Sequence, residues 1–192
     1  MKKIPTLFVR EYDNNGNFKL TKNITPGMEW VLNGEGEATV KYDGSATMYQ
    51  NGIFYKKYDA NINKGRKPPE NAILCQPEPD PITGHFPCWV PVDENNPADK
   101  WYIAAKNNFF YETGDIENWT YEAVGPHFRS NSYRLTTDTL IPHGKTIIAK
   151  LERTYDGIKN YLEEHCIEGI VFWKDGEPKC KIRRKDYGLL WL

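Results

Sequence analysis

The sequence predicts an α+β fold with mainly antiparallel strands, and three local patterns carry this prediction. Asn51-Gly52 and Asp175-Gly176 each separate two segments rich in apolar residues, which is a strong signal for a two-residue hairpin turn. Residues 156–164 carry apolar side chains at helical spacing, so we expect one helix there. Two hairpins and a helix within one short chain together indicate an α+β class.

The first hairpin follows a predicted strand that contains Lys41. Residues 37–42 are expected to form a strand that turns at Asp43-Gly44, and residues 46–50 form the next strand. If Asn51-Gly52 is a two-residue loop, Gln50 pairs with Ile53, and counting outward places Lys57 opposite Ala46. The second strand of the hairpin would then bring Lys57 back to the end of the hairpin that adjoins the Lys41 motif.

The second hairpin predicts a charged face beside a carboxylate. If Asp175-Gly176 is a two-residue loop, Lys174 pairs with Glu177, and side chains alternate along each strand. One face is expected to carry Glu168, Ile170, Phe172, Lys179, Lys181 and Arg183, and the face toward the core Val171, Trp173, Cys180 and Ile182. An acid beside three cations is the charge pattern that a nucleoside triphosphate with a divalent metal ion requires.

The length and composition allow one sizeable core. The chain has 192 residues, 39% of them hydrophobic and 14% aromatic, which predicts a single domain over 1–192 without a separate OB-fold domain. A loop or insertion is expected at about 68–98, where eight of the 13 prolines exclude long helices. That segment is interpreted either as a lid or RNA-contact loop, or as a surface insertion that covers a sheet.

Charge and hydropathy narrow the class of protein. The formal net charge is −1, so the overall charge of the chain does not indicate nucleic-acid binding. No apolar run reaches the length of a membrane span, and the N-terminal segment becomes charged before a signal-peptide core could form. We therefore expect a cytoplasmic location and no membrane partner. The four cysteines show no Cys-x-x-Cys spacing, and His127, His143 and His165 show none typical of metal ligation or general-base catalysis.

Four short motifs occur in a characteristic order. They are Lys41-x-Asp43-Gly44, Glu122-Ala-Val-Gly125, Glu168-Gly-Ile-Val171 and Lys179-x-Lys181. This order resembles the covalent nucleotidyltransferases, the polynucleotide ligases and capping enzymes that carry a nucleotide on lysine. The C-terminal segment and Pro142-His143-Gly144 are similar to those of the small single-domain 5′-to-3′ RNA ligases of vertebrates, which have relatives in microbes and viruses. The resemblance covers residues 36–191 and is loose over 64–119.

The resemblance implies a fold and a reaction. It implies an ATP-grasp-like nucleotidyltransferase domain of two twisted, mainly antiparallel sheets with flanking helices and a nucleotide cleft between them. It also implies that Lys41 attacks ATP to form a lysyl-AMP, that the AMP passes to the 5′-phosphate of RNA, and that a 3′-hydroxyl then displaces it. ATP would be a substrate, Mg²⁺ or Mn²⁺ the metal, and the protein a monomer.

Each site residue has an expected role. Lys41, Lys179 and Lys181 are the catalytic candidates. The nucleotide is expected to contact Lys41, Asp43, Gly44, Lys57, Glu122, Lys179 and Lys181, and the metal Glu168 and Glu122. Lys57 stands where the resembled group tends to have an arginine.

Two basic clusters are the candidate RNA contacts. One comprises Lys64, Arg66 and Lys67, and the other Arg183, Arg184 and Lys185. Three alternatives stay open: a DNA nick ligase, another nucleotidyltransferase such as a capping guanylyltransferase, and a non-catalytic RNA-binding module on a ligase fold. The first two usually carry a second domain that 192 residues leave no room for.

Overall fold

A computed structural model describes residues 3–191 of the chain. In chain order its elements are β1 (Phe8–Tyr12), β2 (Phe18–Ile24), α1 (Glu29–Leu32), β3 (Glu37–Lys41), β4 (Ser45–Gln50), β5 (Ile53–Asn61), β6 (Ile73–Leu74), β7 (His85–Pro91), α2 (Lys100–Thr113), β8 (Trp119–Val124), β9 (Thr139–Pro142), α3 (Tyr155–Glu164), β10 (Gly169–Lys174) and β11 (Glu177–Arg183). Short 3-10 helices occupy Ile62–Lys64, Pro97–Asp99 and Arg184–Tyr187. The strand pairings are antiparallel, which confirms the α+β class.

The chain comprises two compact units. The first contains Lys3 and residues 44–143, and the second contains residues 4–43 and 144–191. The chain passes from the second unit to the first inside the lysine motif, Lys41-x-Asp43-Gly44. Among the described residues, no helix combines the length and the apolar character that crossing a bilayer requires.

A six-stranded sheet forms the first unit, with the strand order β6-β7-β5-β4-β8-β9. Its core lies between the sheet and α2 and contains Phe54, Ala105, Tyr121, Phe128 and Leu140, all nearly inaccessible to solvent. The proline-rich segment at 68–98 contributes β6 and β7 to this sheet, in addition to its loops. It contains no α-helix.

The predicted turn at Asn51-Gly52 is confirmed. Both residues have positive φ, 52° and 81°, as a type I′ turn requires. Gln50 pairs with Ile53, and the register continues as counted to the pair of Thr47 with Lys56.

The second unit contains a three-stranded sheet in the order β11-β10-β3 and the two-stranded sheet β1-β2. Helix α3 confirms the helix expected at 156–164, and Thr154 caps it by accepting a 3.0 Å hydrogen bond from the Gly157 backbone. A Cβ at Gly157 would lie 2.6 Å from the backbone oxygen of Glu152, which explains a glycine inside this helix. Its apolar face packs into a core that contains Phe8, Ile158, Leu162, Ile170 and Phe172.

The predicted faces of the β10-β11 hairpin are wrong, because β11 contains a bulge. Lys174 pairs with Glu177 as expected, but the register shifts between Trp173, which pairs with Pro178, and Phe172, which pairs with Cys180. Lys179 is the extra residue, and a bulge reverses the side-chain alternation beyond it. The core face therefore comprises Ile170, Phe172, Cys180 and Ile182, each fully buried.

The corrected register predicts unequal costs for two adjacent substitutions. Ile170→Ala should lower the free energy of unfolding by about 2–5 kcal/mol, because it removes a fully buried side chain. Val171→Ala, at a half-buried position on the other face, should cost about 1 kcal/mol. Denaturant unfolding of the two variants measures both. A larger loss of stability for Val171→Ala would instead support a hairpin without a bulge, with Val171 facing the core.

Candidate functional site

Lys41 lies on the charged face of the three-stranded sheet in the second unit. Its Cα partner in β10 is Gly169, and Gly169 pairs in turn with Arg183 of β11. In the next row Val171 pairs with Lys181. Because directly opposed residues share a face, Lys41, Lys181 and Arg183 lie together on the side away from the core.

A glycine separates Lys41 from Arg183 for a steric reason. A Cβ at position 169 would lie 2.2 Å from the carbonyl oxygen of Ile182 and 2.9 Å from the Cα of Arg183. Both distances are shorter than any normal contact, so β10 and β11 approach each other too closely here for a side chain. The glycine of the Glu168-Gly motif is therefore required by strand packing.

Glu168 forms an ion pair with Lys41. Glu168 immediately precedes β10, and its carboxylate accepts a hydrogen bond from the Lys41 Nζ. The two side chains are 24% and 18% exposed, so the pair is shielded from water more than a surface ion pair. The Lys41 Nζ also lies 3.5 Å from the carbonyl oxygen of Tyr42. This pairing holds the amine at the end of β3.

The lysines of the last motif differ in how they are held. The backbone of Lys181 is fixed by the N-terminal segment, since it donates to the Pro5 carbonyl at 3.0 Å and accepts from the Leu7 amide at 2.8 Å. The Nζ of Lys179, the bulge residue, donates to Glu177 at 2.5 Å. This hydrogen bond holds the pKa of the Glu177 carboxyl below its usual range.

In the first unit, Glu122 forms a hydrogen-bonded network. One carboxylate oxygen accepts from the Gly44 backbone N–H at 3.0 Å, and the other lies 2.9 Å from the Nε2 of His143. The other ring nitrogen of His143 lies 3.0 Å from the Thr120 hydroxyl oxygen. Glu122 is only 9% exposed, and these partners supply the hydrogen bonds that a buried carboxylate needs.

The glycine of the lysine motif is held on both sides of its backbone. Its N–H donates to Glu122, and its carbonyl oxygen accepts from the Nε of Arg129 at 3.0 Å. A Cβ at Gly44 would lie 2.2 Å from the carbonyl oxygen of Ala123, so only glycine fits against β8 at this point. The Asp-Gly turn is therefore a close backbone contact as well as a change of direction.

Lys57 and Glu122 lie on the same face of the six-stranded sheet. Ala46 pairs with Glu122, and the register of the hairpin places the exposed Lys57 next to Ala46 on the other side. Tyr121 is one position from Glu122, and Phe54 is three positions from Lys57, so both side chains point to the opposite face of the sheet, into the core under α2. Lys57 and Glu122 therefore lie on the face away from that helix.

The two basic clusters differ in exposure. Lys64, Arg66 and Lys67 are all exposed, at and after the 3-10 helix Ile62–Lys64. In the C-terminal cluster only Lys185 is exposed. Arg183 pairs with the buried Asp186 at 3.2 Å.

Arg184 has a structural position. Its side chain is buried, with the residue 5% exposed, and its guanidinium donates to the carbonyl oxygens of Leu162, His165 and Leu190. A guanidinium engaged in this way ties the end of α3 to the C-terminal segment. It has no surface from which to contact RNA, so the expected RNA contact at Arg184 is replaced by this structural role.

A divalent metal would have few protein ligands here. Within residues 3–191, no group of three or more His, Cys, Asp or Glu side chains is arranged to hold a metal ion. Glu168 and Glu122, the two expected ligands, belong to different units and bind Lys41 and His143 respectively. A single carboxylate such as Glu168 suits a divalent cation that completes its coordination with other oxygen ligands.

Two residues of these networks were not predicted from the sequence. The spacing of His143 indicates no known chemistry, and the sequence signal for it was the resemblance of Pro142-His143-Gly144 to the RNA ligases, which gave the histidine no partner. Arg129 lies in a loop without a motif of its own. Pairing of β8 with β9 brings His143 to Glu122, whereas Arg129 reaches Gly44 through loop geometry.

The chain is similar to two curated proteins named RNA ligase 1. It is 29% identical over 144 residues to the protein from Pongo abelii, which is 60% of this chain and 44% of that protein. It is 29% identical over 141 residues to the protein from Danio rerio, which is 56% of this chain and 42% of that protein. The chain thus spans less than half the length of these relatives. No protein-family model matches it.

The shielding of the Lys41–Glu168 pair predicts a measurable coupling. A double-mutant cycle with Lys41→Met and Glu168→Gln, measured on the free energy of unfolding, should give a coupling energy of about 1–2 kcal/mol. The reason is that both groups are largely withdrawn from water. The matched control is the pair Lys22–Asp156 in the same unit, where both side chains are 67% exposed. The same cycle there should give about 0.5 kcal/mol or less. Equal couplings would show that Lys41 is not held by Glu168.

Proposed function

We propose that the chain is an ATP-dependent RNA ligase that joins 5′-phosphate and 3′-hydroxyl ends through a lysyl-AMP. The observation that carries this proposal is the Lys41–Glu168 ion pair, on the sheet face that also holds Lys181 and Arg183. A lysine that is fixed beside a carboxylate and two cations suits attack on a polyphosphate. The similarity to proteins named RNA ligase 1 supports RNA ligation as the overall activity.

The first step forms a covalent adenylate. The Lys41 amine attacks the α-phosphorus of ATP, an N–P bond forms, and the bond to the bridging oxygen breaks to release pyrophosphate. Attack requires the neutral amine, so the ion pair with Glu168 must open and the Lys41 ammonium must release a proton to solvent. Opening leaves the Glu168 carboxylate available for other partners.

Glu168 is the residue that would hold a divalent metal, together with the ATP phosphates. Such an ion, Mg²⁺ or Mn²⁺, would neutralise phosphate charge when bound. The cationic side chains of Lys179 and Lys181 would add to this effect as negative charge develops on the α-phosphate. In the first unit, Glu122 would contact the nucleoside ribose, and Lys57 would supply a further cation.

The remaining steps transfer AMP to RNA and then release it. An oxygen of the RNA 5′-phosphate attacks the phosphorus of the lysyl-AMP, the N–P bond breaks, and the Lys41 amine is regenerated. A 3′-hydroxyl oxygen then attacks the 5′-phosphorus of the adenylylated RNA, its proton passes to solvent, and the phosphoanhydride bond breaks to release AMP. The exposed cations Lys64, Arg66, Lys67 and Lys185 are the proposed contacts for the RNA phosphates.

Self-labelling tests the proposal. With Mg²⁺ or Mn²⁺ and α-labelled ATP, the chain should gain one AMP, which mass spectrometry should locate on Lys41. α-Labelled GTP should give little product, whereas a capping guanylyltransferase would prefer it. The Lys41→Ala variant is the control. Label that persists in this variant, or no label with either metal, would contradict the proposal.

The exposed cluster at 64–67 predicts a salt-dependent effect on RNA alone. Replacing Lys64 and Lys67 by Ala should flatten the slope of log affinity against log salt by about 1.4, since each phosphate contact to a single strand contributes about 0.7. Lysyl-AMP formation should change little. The control replaces Lys19 and Lys150, two exposed lysines of the other unit. An equal change of the salt slope in both double variants would show that residues 64–67 do not belong to the RNA-binding surface.

A further inference from the structure

The loop after β8 has a fixed path. The Phe128 backbone N–H donates to the Gly125 carbonyl at 3.1 Å, the Asn131 N–H to Phe128 at 3.2 Å, and the Arg134 N–H to Asn131 at 2.9 Å. Phe128 is buried against the ring of Tyr102. Successive turns and one buried aromatic side chain thus determine the backbone of this loop.

Three residues of this loop have left-handed backbones without being glycine. They are Arg129, Asn131 and Arg134, with φ of 51°, 47° and 51°. Such residues are uncommon and persist where their surroundings over-determine them, often at binding sites. Asn131 has a local reason, because its side-chain amide exchanges two hydrogen bonds of 3.0 Å with the backbone of Leu135.

Arg129 has a different partner, the lysine motif. Its Nε donates to the Gly44 carbonyl oxygen at 3.0 Å, although the two residues are 85 positions apart in the chain. The left-handed backbone at Arg129 is therefore associated with a contact to the motif, whereas Arg134 has the same backbone conformation and no such contact in the described chain.

The rest of the Arg129 guanidinium carries an uncompensated charge. Within residues 3–191, its Nη1 and Nη2 groups have no hydrogen-bond acceptor, and no carboxylate lies within 4 Å. Arg10 and Arg183, by contrast, both pair with Asp186. Arg129 is exposed to solvent, so a ligand can reach these two groups.

We propose that Arg129 is a phosphate-binding residue for the nucleoside triphosphate, an assignment that rests on the proposed function. Because Gly44 engages Nε, the plane of the guanidinium is fixed and its two Nη groups form a fork. Such a fork matches two oxygens of one phosphate, and charge-assisted bonds of this kind are about twice as strong as neutral ones. The same residue thereby links phosphate binding to the position of the Asp-Gly turn.

Equilibrium binding of ATP and of adenosine, measured by calorimetry with Mg²⁺, tests the assignment. Both ligands are titrated into the unsubstituted chain, into Arg129→Gly and into the matched control Arg134→Gly. Glycine accepts the left-handed backbone, so both variants should fold. Arg129→Gly should weaken ATP binding about tenfold or more and leave adenosine binding unchanged, and Arg134→Gly should change neither.

Three outcomes would overturn the assignment. Equal losses for ATP and adenosine would mean that Arg129 supports the Gly44 turn and does not bind phosphate. Unchanged ATP affinity in Arg129→Gly would show that Arg129 does not bind ATP. The proposed function would still stand if the chain labels itself on Lys41. If the unsubstituted chain binds no ATP, the assignment and the proposed function both fail. ATP binding without lysyl-AMP formation would overturn the proposed function alone.

Discussion

One extra residue in β11 determines which side chains of the second unit face its core. With Lys179 as a bulge, Ile170, Phe172, Cys180 and Ile182 are buried together, and Lys181 lies on the same face as Lys41. A one-residue change of register would exchange the two faces of β11, with a charged side chain entering the core. Burial of this apolar set therefore fixes the register. It also raises the pKa of the Cys180 thiol to about 12, because the thiolate would be desolvated.

The first unit depends on a different constraint, the close approach of Gly44 to β8. The short distance to Ala123 leaves room for a glycine only, and it brings the Gly44 peptide between Glu122 and Arg129. A carboxylate and a guanidinium thus hold the two peptide groups on either side of the Gly44 Cα. His143 in turn orients Glu122, so a change at the histidine would reach the lysine motif through two hydrogen bonds.

The turn residues predicted the two hairpin turns, because these turns depend on the backbone conformation of the turn residues themselves. Asn51-Gly52 and Asp175-Gly176 form the expected turns because only a few residues accept positive φ at both positions. The faces of β10 and β11 could not be predicted in the same way, since Pro178 fits either a regular edge strand or a bulge and does not place the extra residue at Lys179. The burial of Arg184 depends on carbonyl groups at the end of α3 and near the C-terminus, which are distant in sequence. The contacts of His143 and Arg129 depend equally on tertiary structure.

If Lys41 carries AMP to RNA, adenylylated protein should complete a single turnover without free ATP. Adenylylated protein, freed of nucleotide, is mixed with RNA that presents a 5′-phosphate next to a 3′-hydroxyl. We expect that label leaves Lys41 and that joined RNA and free AMP appear in equal amounts, up to one per protein. Label that stays on the protein while the RNA remains unjoined would contradict it.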